Sequence, residues 1–314
     1  MFSLEVCLLT LQKVAFLLTV ILIGYLLFRG KIVERKTAGI LSLLTTTVFS
    51  PAYCLTTLPG TFTVENLSKN LTVLGISLGL LGPVLALSIF LSKKVSRTDF
   101  ERRSLNYIFA FANTGYFGYP VIEGVFGKEA LGQFMIFCIP FNICLYSYGY
   151  GLFMNDGKKV PLKKILFSPV MLSYYVGMAM GLLSLSFPGF LKDAVEGLGA
   201  CMSPASMLSA GIVLGSIPFL KLLSGIRSYV FSFIRLALIP AFFGTVLYLL
   251  GLRGIFFTLS VSALSMPCGM NTVVFPESFG YDATDNAKLC FVSCIMSIIT
   301  LPLVFGLLSV IGAN

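Results

Sequence analysis

The chain has 314 residues, of which 57% are hydrophobic and only 11% are charged, and its mean hydropathy is +0.94. A water-soluble protein of this size could not cover its surface with so few polar side chains, because large apolar patches would remain exposed. The composition therefore excludes a soluble protein and indicates a polytopic membrane protein. The length allows about ten spanning helices of about 20 residues each, with little chain left for an extramembrane domain.

The residue inventory also excludes several kinds of chemistry. The chain contains no histidine, which removes zinc sites with histidine ligands and the Ser-His and Cys-His pairs of hydrolases. Its eight cysteines form no Cys-x-x-Cys motif and lie within apolar runs, so we interpret them as small core residues. We predict no metal site, no cofactor and no enzymatic activity. The net charge of +9 comes from basic residues in short loops, which indicates membrane topology rather than nucleic-acid binding.

Ten apolar runs, separated by charged or turn-rich breaks, predict ten transmembrane spans in the lipid bilayer. In chain order, spans 1 to 10 cover residues 8–28, 38–59, 70–91, 105–125, 130–154, 166–186, 195–218, 229–251, 254–276 and 287–311. The first run follows an acidic start, MFSLE, and no small-x-small cleavage site follows it. We therefore expect a mature helix there rather than a signal peptide.

The distribution of basic residues predicts the orientation of the spans. The connections that follow spans 1, 3, 5 and 7 contain 15 Lys and Arg residues, whereas the connections on the opposite side contain four. Basic residues in short loops favour the cytoplasm. We therefore expect the basic connections to be cytoplasmic and both termini to lie on the non-cytoplasmic side.

The two halves of the chain match each other at an offset of 153 residues. The matching segments are Ser50-Pro51-Ala52 with Ser203-Pro204-Ala205, Phe126-Gly127 with Phe279-Gly280, and Gly24 with Gly177. The match divides the chain into residues 1–153 and 154–314, with five spans in each part. An odd number of spans makes the second copy enter the membrane in the opposite direction. We therefore predict an inverted repeat, which is typical of secondary transporters.

Two predicted spans contain helix breakers. Span 4 includes Asn113, Thr114, Gly115 and Pro120, and span 9 includes Pro267, Gly269, Asn271 and Thr272. Proline removes a backbone donor and clashes with the preceding turn, and glycine weakens a helix by about 1 kcal/mol relative to alanine. We therefore expect both helices to be interrupted. Interrupted backbone inside a membrane is tolerated where it lines a polar cavity, so these segments are predicted to bind a small polar or anionic solute.

Arg235 lies about seven residues inside span 8, far from either predicted end. Two roles remain open for it: its side chain could extend to the interface, or it could pair with the substrate or with a carboxylate such as Glu123. No Asp or Glu lies in the middle of a span, so a carboxylate-based proton relay is not predicted. Ser50 and Ser203, each beside a proline, are interpreted as residues of helix packing rather than of solute binding.

At these residues the sequence resembles the auxin efflux carrier family, whose bacterial members are often described as malate or other organic-acid permeases. The resemblance extends over the whole chain and includes Asn-Thr-Gly in span 4 and Pro-x-Gly-x-Asn-Thr in span 9. It implies a scaffold domain from spans 1, 2, 6 and 7, and a mobile transport domain from spans 3–5 and 8–10. It also implies an elevator-type motion and a homodimer formed through the scaffold. The substrate residues that it implies are Asn113, Thr114, Gly115, Pro120, Pro267, Gly269, Asn271 and Thr272.

Two departures from the plant members indicate the short bacterial branch of the family. Plant carriers often have a long hydrophilic loop between spans 5 and 6, whereas this chain has only the segment from Asn155 to Lys164. In addition, Ala112-Asn113-Thr114 stands in place of the plant-type Asn-Pro-Asn-Thr run. These departures argue against auxin itself as the substrate.

The sequence thus predicts an all-α integral membrane protein that moves a small organic anion, such as a mono- or dicarboxylate, across the bacterial inner membrane. A sodium-coupled symporter of the bile-acid type is the main alternative. Its sodium sites would need clustered oxygen ligands, which would come here mostly from carbonyl, Asn and Thr groups. A membrane sensor that does not transport is a further alternative, and the absence of a soluble output domain disfavours it.

Overall fold

The computed structural model describes residues 4–154 and 161–311, and all regular secondary structure within them is helical. The helices are α1 (Leu4–Arg29), α2 (Arg35–Thr61), α3 (Leu67–Val95), α4 (Asp99–Ala110), α5 (Tyr119–Cys144), α6 (Leu162–Leu166), α7 (Pro169–Leu182), α8 (Gly189–Gly215), α9 (Phe219–Leu222), α10 (Ile226–Leu249), α11 (Gly254–Ser265), α12 (Asn271–Ser278) and α13 (Thr284–Ile311). Lys158, Lys159 and most of the predicted loop from Asn155 to Lys164 lie outside the described residues.

Seven helical stretches in the described part of the chain are long and apolar enough to cross a membrane. They are Leu4–Arg29, Arg35–Thr61, Leu67–Val95, Asp99–Gly149, Gly189–Gly215, Ile226–Leu249 and Thr284–Ile311. α7 and α11 are apolar but shorter. The protein is thus an all-α membrane protein with seven candidate spans. The larger count of ten, and their inverted arrangement, remain predictions.

One predicted span is shorter in the structure than in the sequence analysis. Span 6 was expected over residues 166–186, but α7 covers only Pro169–Leu182. Its start is fixed by Ser168, whose hydroxyl accepts a hydrogen bond from the Met171 amide at 3.4 Å, and by a proline in the first helical position. Its end is fixed close to Ser184, whose φ of 53° is incompatible with a continuing helix.

Two pairs of helices approach each other closely because glycine lies between them. A Cβ atom on Gly24 of α1 would lie 2.4 Å from the Leu208 carbonyl oxygen of α8, and a Cβ atom on Gly211 would lie 2.0 Å from the Ile21 carbonyl oxygen. Likewise, a Cβ atom on Gly177 of α7 would lie 3.3 Å from the Cys54 carbonyl oxygen of α2. Small residues of this kind allow membrane helices to pack backbone against backbone.

We expect Gly211→Val to lower the melting temperature of the detergent-solubilised protein, because its side chain would collide with the backbone of α1. Overpacking of a tight contact costs about 1–3 kcal/mol. Gly75→Val in α3 is the matched control, since a Cβ atom at Gly75 meets no other atom within 4 Å. Equal melting temperatures for the two variants would contradict the close contact between α1 and α8.

Four π-helical turns widen the helices within the described ranges: Thr45–Phe49, Thr114–Gly118, Leu145–Gly149 and Ile234–Leu238. Three of these turns are followed two residues later by a proline, namely Pro51, Pro120 and Pro240. Proline cannot donate a backbone hydrogen bond and clashes with the turn before it, so an extra residue in that turn relieves the clash. Turns of this kind occur frequently at functional sites.

Candidate functional site

Both predicted interruptions are confirmed by the backbone. α4 ends at Ala110, and helical geometry resumes only in the turn that begins at Thr114. α11 ends at Ser265, and α12 begins at Asn271. The second break starts at Met266, whose extended conformation (φ −66°, ψ 147°) is the one that a residue before proline prefers. The helix breakers identified in the sequence therefore act where they were expected.

The two interruptions meet each other. The amide of Asn113 donates a hydrogen bond to the carbonyl oxygen of Pro267 at 2.8 Å. The Asn113 side chain lies against Gly269, because a Cβ atom on that glycine would be 3.5 Å from the Asn113 Cβ atom. The second break also contacts α13, since the Ser293 hydroxyl accepts a hydrogen bond from the Cys268 amide at 3.1 Å. The crossing is thus held by one hydrogen bond between backbones and by the Ser293 hydroxyl.

A cavity of about 580 Å³ opens beside this crossing. Its wall is formed by segments of α2, α4, α5, α7, α8 and α12 and by the two interruptions. Five of the eight predicted substrate residues lie on this wall: Asn113, Thr114, Gly115, Gly269 and Asn271. The volume is in the range of pockets that bind small molecules. Both sequence motifs therefore contribute residues to the cavity wall.

The other three predicted substrate residues lie outside the cavity wall. Pro120 follows the π turn at the start of α5, and the Pro267 carbonyl oxygen binds the Asn113 amide. Thr272 is buried, and its hydroxyl donates to the Gly269 carbonyl oxygen at 2.7 Å. Thr272 and Pro267 thus shape the backbone of the crossing, and neither side chain faces the cavity.

Two helix N-termini, each with a partial positive charge, lie at the cavity. The turn that begins at Thr114 and the helix that begins at Asn271 both start on the cavity wall. The amides of Thr114, Thr272 and Val273 already donate to the carbonyl oxygens of Ala112, Gly269 and Met270. The attraction for a solute therefore comes mainly from the partial positive charge of each N-terminal end, which is about half an elementary charge. Two such ends beside one cavity favour an anionic solute.

A group of hydroxyls and amides on the cavity wall was not predicted from the sequence. They belong to Tyr107, Tyr116, Tyr119, Asn142, Tyr146 and Tyr174. The Tyr119 and Tyr174 hydroxyls are hydrogen-bonded at 2.6 Å, and Tyr107 and Tyr146 line the same cavity as Asn271. The available signal was the run Tyr146-Ser147-Tyr148 within an apolar span, because clustered phenols need polar partners when buried.

Ser50 also lies on the cavity wall, although the sequence favoured a role in helix packing. Its side chain is buried, and its hydroxyl has no hydrogen-bond partner among the described residues. Ser203 differs, since its hydroxyl donates to the Tyr116 carbonyl oxygen at 2.8 Å and thus joins α8 to the π turn Thr114–Gly118. The two serines of the repeated Ser-Pro-Ala segment therefore have different surroundings.

The charged residues on the cavity wall form an ion pair. Arg35 Nη2 lies 2.6 Å from Glu277 Oε1, and the two side chains are 48% and 36% exposed. Exposed side chains of this kind belong to the mouth of the cavity rather than to its interior. Since the two charges cancel, the helix N-termini are the main source of positive potential at the cavity wall.

Arg235 is buried away from the interface and does not pair with Glu123. Its side chain is fully buried, so it does not extend to the interface. Its Nη1 atom donates to the Leu264 carbonyl oxygen at 2.7 Å, whereas the carboxylate of Glu123 accepts a hydrogen bond from the Tyr53 hydroxyl at 2.6 Å. Arg235 lies on a second, smaller cavity of about 20 Å³. A role in direct contact with a solute in the large cavity is therefore not supported by its position.

Within residues 4–154 and 161–311, no group of three or more Cys, Asp or Glu side chains is arranged to hold a metal ion. The polar groups of the large cavity are neutral hydroxyls, amides and backbone groups, apart from the ion pair at its mouth. This arrangement is suited to binding a solute by hydrogen bonds and helix dipoles.

Comparison with known proteins identifies the family. Residues 9–305 match the model of a family described as membrane transport protein. The chain belongs to this family, the auxin efflux carriers. The resemblance seen in the sequence is thereby confirmed, and the chain is a member of a family of membrane transporters.

Two relatives in this family come from archaea. An uncharacterized transporter of Methanothermobacter thermautotrophicus is 28% identical over 198 residues, which cover 62% of this chain and 64% of that protein. An uncharacterized transporter of Methanocaldococcus jannaschii is 26% identical over 227 residues, which cover 69% of this chain and 72% of that protein. The match thus spans just under two thirds of the length of the first relative.

Proposed function

We propose that the protein is a secondary transporter that moves a small organic anion, with one or two carboxylate groups, by alternating access. The observation that supports this proposal most directly is the convergence of two helix N-termini, at Thr114 and Asn271, on one cavity whose other polar groups are mostly neutral. A carboxylate gains from both ends, whereas the corresponding amide gains only hydrogen bonds. The proposed function includes no enzymatic step and no cofactor.

Uptake into liposomes tests this function. Purified protein is reconstituted, and radiolabelled mono- and dicarboxylates are compared with their neutral amides at equal concentration. We expect saturable uptake of at least one carboxylate and little uptake of its amide. Imposed sodium or proton gradients, applied separately, identify the coupling ion. Uptake of the amides at the same rate as the acids would contradict the anion proposal.

The proposed architecture has ten spans in two inverted repeats, residues 1–153 and 154–314. Two pairs of equivalent positions support it. Gly127 and Gly280 are 153 residues apart, and both have a positive φ, of 85° and 81°. Gly24 and Gly177 have the same spacing, and each packs against a helix of the opposite half. Counting the two shorter apolar helices, and dividing the stretch Asp99–Gly149 at Gly127, would give ten spans from the seven candidates.

Cysteine labelling tests the orientation that this architecture requires. In a background without the eight native cysteines, Lys94→Cys is expected to react with an impermeant reagent only from the cytoplasmic side, and Lys192→Cys only from outside. Both positions are exposed, and the predicted topology places them on opposite sides of the membrane. Reaction of both cysteines from the same side would exclude an odd number of spans in each repeat.

The proposed motion is of the elevator type, with spans 1, 2, 6 and 7 as the scaffold and spans 3–5 and 8–10 as the mobile domain. Several contacts between these groups support it because they involve polar side chains. Among them are Arg35 with Glu277, Tyr53 with Glu123, Ser203 with the Tyr116 carbonyl, and Tyr119 with Tyr174. Such contacts can be exchanged for water at low cost, whereas the glycine contacts of α1 with α8 cannot. We further propose a homodimer through the scaffold, in the bacterial inner membrane, with both termini on the non-cytoplasmic side.

A further inference from the structure

Arg235 lies between the C-terminal ends of the two interrupted helices. The small cavity beside it is lined by Ala110, the last residue of α4, and by Ala263 and Leu264 in the last turn of α11. The side chain has no exposed surface. It projects from the π turn Ile234–Leu238, where the extra residue widens α10 beside the crossing. A charged residue thus lies beside the crossing, on a small cavity that shares Phe111, Ala112 and Thr114 with the wall of the proposed solute site.

The guanidinium has few direct partners for a fully buried cation. Nη1 donates to the Leu264 carbonyl oxygen at 2.7 Å, while Nε and Nη2 have no hydrogen-bond partner among the described residues. No acidic residue of the described chain lines the small cavity. A buried charge without compensation is strongly destabilising. The remaining source of negative potential is the helix ends themselves, because the last carbonyls of a helix have a partial negative charge of about half an elementary charge.

The two cavities share part of their walls, since Phe111, Ala112, Thr114, Asn142 and Leu145 line both. Asn271, at the start of α12, lines only the large cavity, whereas Ala110, Ala263 and Leu264, at the C-terminal ends of α4 and α11, line only the small one beside Arg235. Free carbonyl oxygens at converging C-termini are the hard ligands that a metal cation such as sodium prefers. The small cavity has a volume of about 20 Å³, which is close to the space of a single water molecule. A hydrated cation would not fit there beside the guanidinium.

We propose that Arg235 is a built-in cation, which neutralises the C-terminal ends of both interrupted helices in the place where a coupling cation would otherwise bind. It is a positioning residue, since it acts on the transported anion only through the crossing. A consequence, which rests on the proposed function, is that transport by this protein does not require sodium.

Thermal unfolding in detergent tests the structural part of this proposal without any substrate. We expect the melting temperature of the wild type to be the same in sodium chloride and in N-methylglucamine chloride at equal ionic strength. Arg235→Ala should melt several degrees lower, and millimolar guanidinium chloride should restore much of the loss, because the free ion occupies the vacated space and stabilises the folded state by mass action. A higher melting temperature of the wild type in sodium, or no rescue of Arg235→Ala, would overturn the proposal.

Arg227→Ala is the matched control, because Arg227 lies on the same helix but is partly exposed and pairs with Glu101 at 2.5 Å. Guanidinium should not raise its melting temperature. If Arg235→Ala does not fold, Arg235→Lys and Arg235→Met take its place. The lysine variant retains the charge and should be clearly more stable than the methionine variant, which retains only the size. Equal stability of these two variants would also overturn the proposal.

Uptake assays separate this inference from the proposed function. Wild-type uptake of a carboxylate should be equal with sodium and with N-methylglucamine as the only added cation. Uptake that depends on sodium would overturn the built-in cation and leave the transporter function intact. Uptake of no carboxylate would contradict the proposed function, while the guanidinium rescue would still support the role of Arg235 in the crossing.

Discussion

Replacing Asn113 or Asn271 by alanine is expected to abolish most uptake of the transported carboxylate while the protein still folds. Both side chains lie on the wall of the large cavity, next to the helix ends that would bind the anion. A hydrogen bond to a charged group contributes about 1.5–3 kcal/mol, so each variant should weaken binding roughly tenfold to hundredfold. Uptake at a substrate concentration below the wild-type KM measures this loss.

Asn66→Ala is the matched control, because Asn66 lies at the start of α3, away from the cavity, and its side chain does not cap that helix. Ser50 is unsuitable as a control, since it lies on the cavity wall. Size-exclusion profiles and melting temperatures establish that all three variants are folded. Wild-type uptake by both cavity variants would place the binding site elsewhere in the molecule.

Gly115 offers a steric test of the same cavity. It lies on the wall within the π turn Thr114–Gly118, and a Cβ atom there would meet no atom within 4 Å. Gly115→Ala should therefore transport almost as well as the wild type. Gly115→Phe should abolish uptake without a large change in melting temperature, because its ring would extend into the space that the solute occupies.

Gly79→Phe provides the control for the size of the new side chain. Gly79 is an exposed residue of α3, and a Cβ atom on it likewise has no neighbour within 4 Å. We expect this variant to retain uptake. If Gly115→Phe transported as well as Gly79→Phe, the solute would not pass through the large cavity, and the assignment of this cavity would be incorrect.

The sequence predicted the helical class and the two interruptions because each has a local cause. Apolar runs of the length of a bilayer produce helices, and Pro267 with Gly269 ends one of them whatever surrounds it. The length of α7 was harder to predict, since it depends on the cap at Ser168 and on the positive φ of Ser184. Because the residues on both sides of Ser168 and Ser184 are mostly apolar, the hydropathy pattern does not show that the helix begins and ends there.

Five of the eight predicted substrate residues share one cavity wall for a related reason. Asn113, Gly115 and Asn271 belong to segments next to helix breaks, and interrupted backbone inside a membrane is tolerated only where it is buried in protein or lines a cavity. The tyrosines of the cavity wall were missed because they come from three different helices, and only the tertiary fold brings Tyr119 within 2.6 Å of Tyr174. The surroundings of Arg235 were missed likewise, since its partner is a backbone oxygen in another helix.

The glycine contacts between α1 and α8 restrict how the protein can change shape. Gly24 and Gly211 place one backbone directly on another, with no side chain between them that could change its rotamer. For α1 to slide along α8, larger residues would have to pass over the same point, and their Cβ atoms would collide with carbonyl oxygens at intermediate registers. Shear at this contact is therefore disfavoured. In any large displacement, α1 and α8 must therefore rotate or translate together as one rigid pair. The contacts that change must lie on other surfaces, where water can replace the lost contacts.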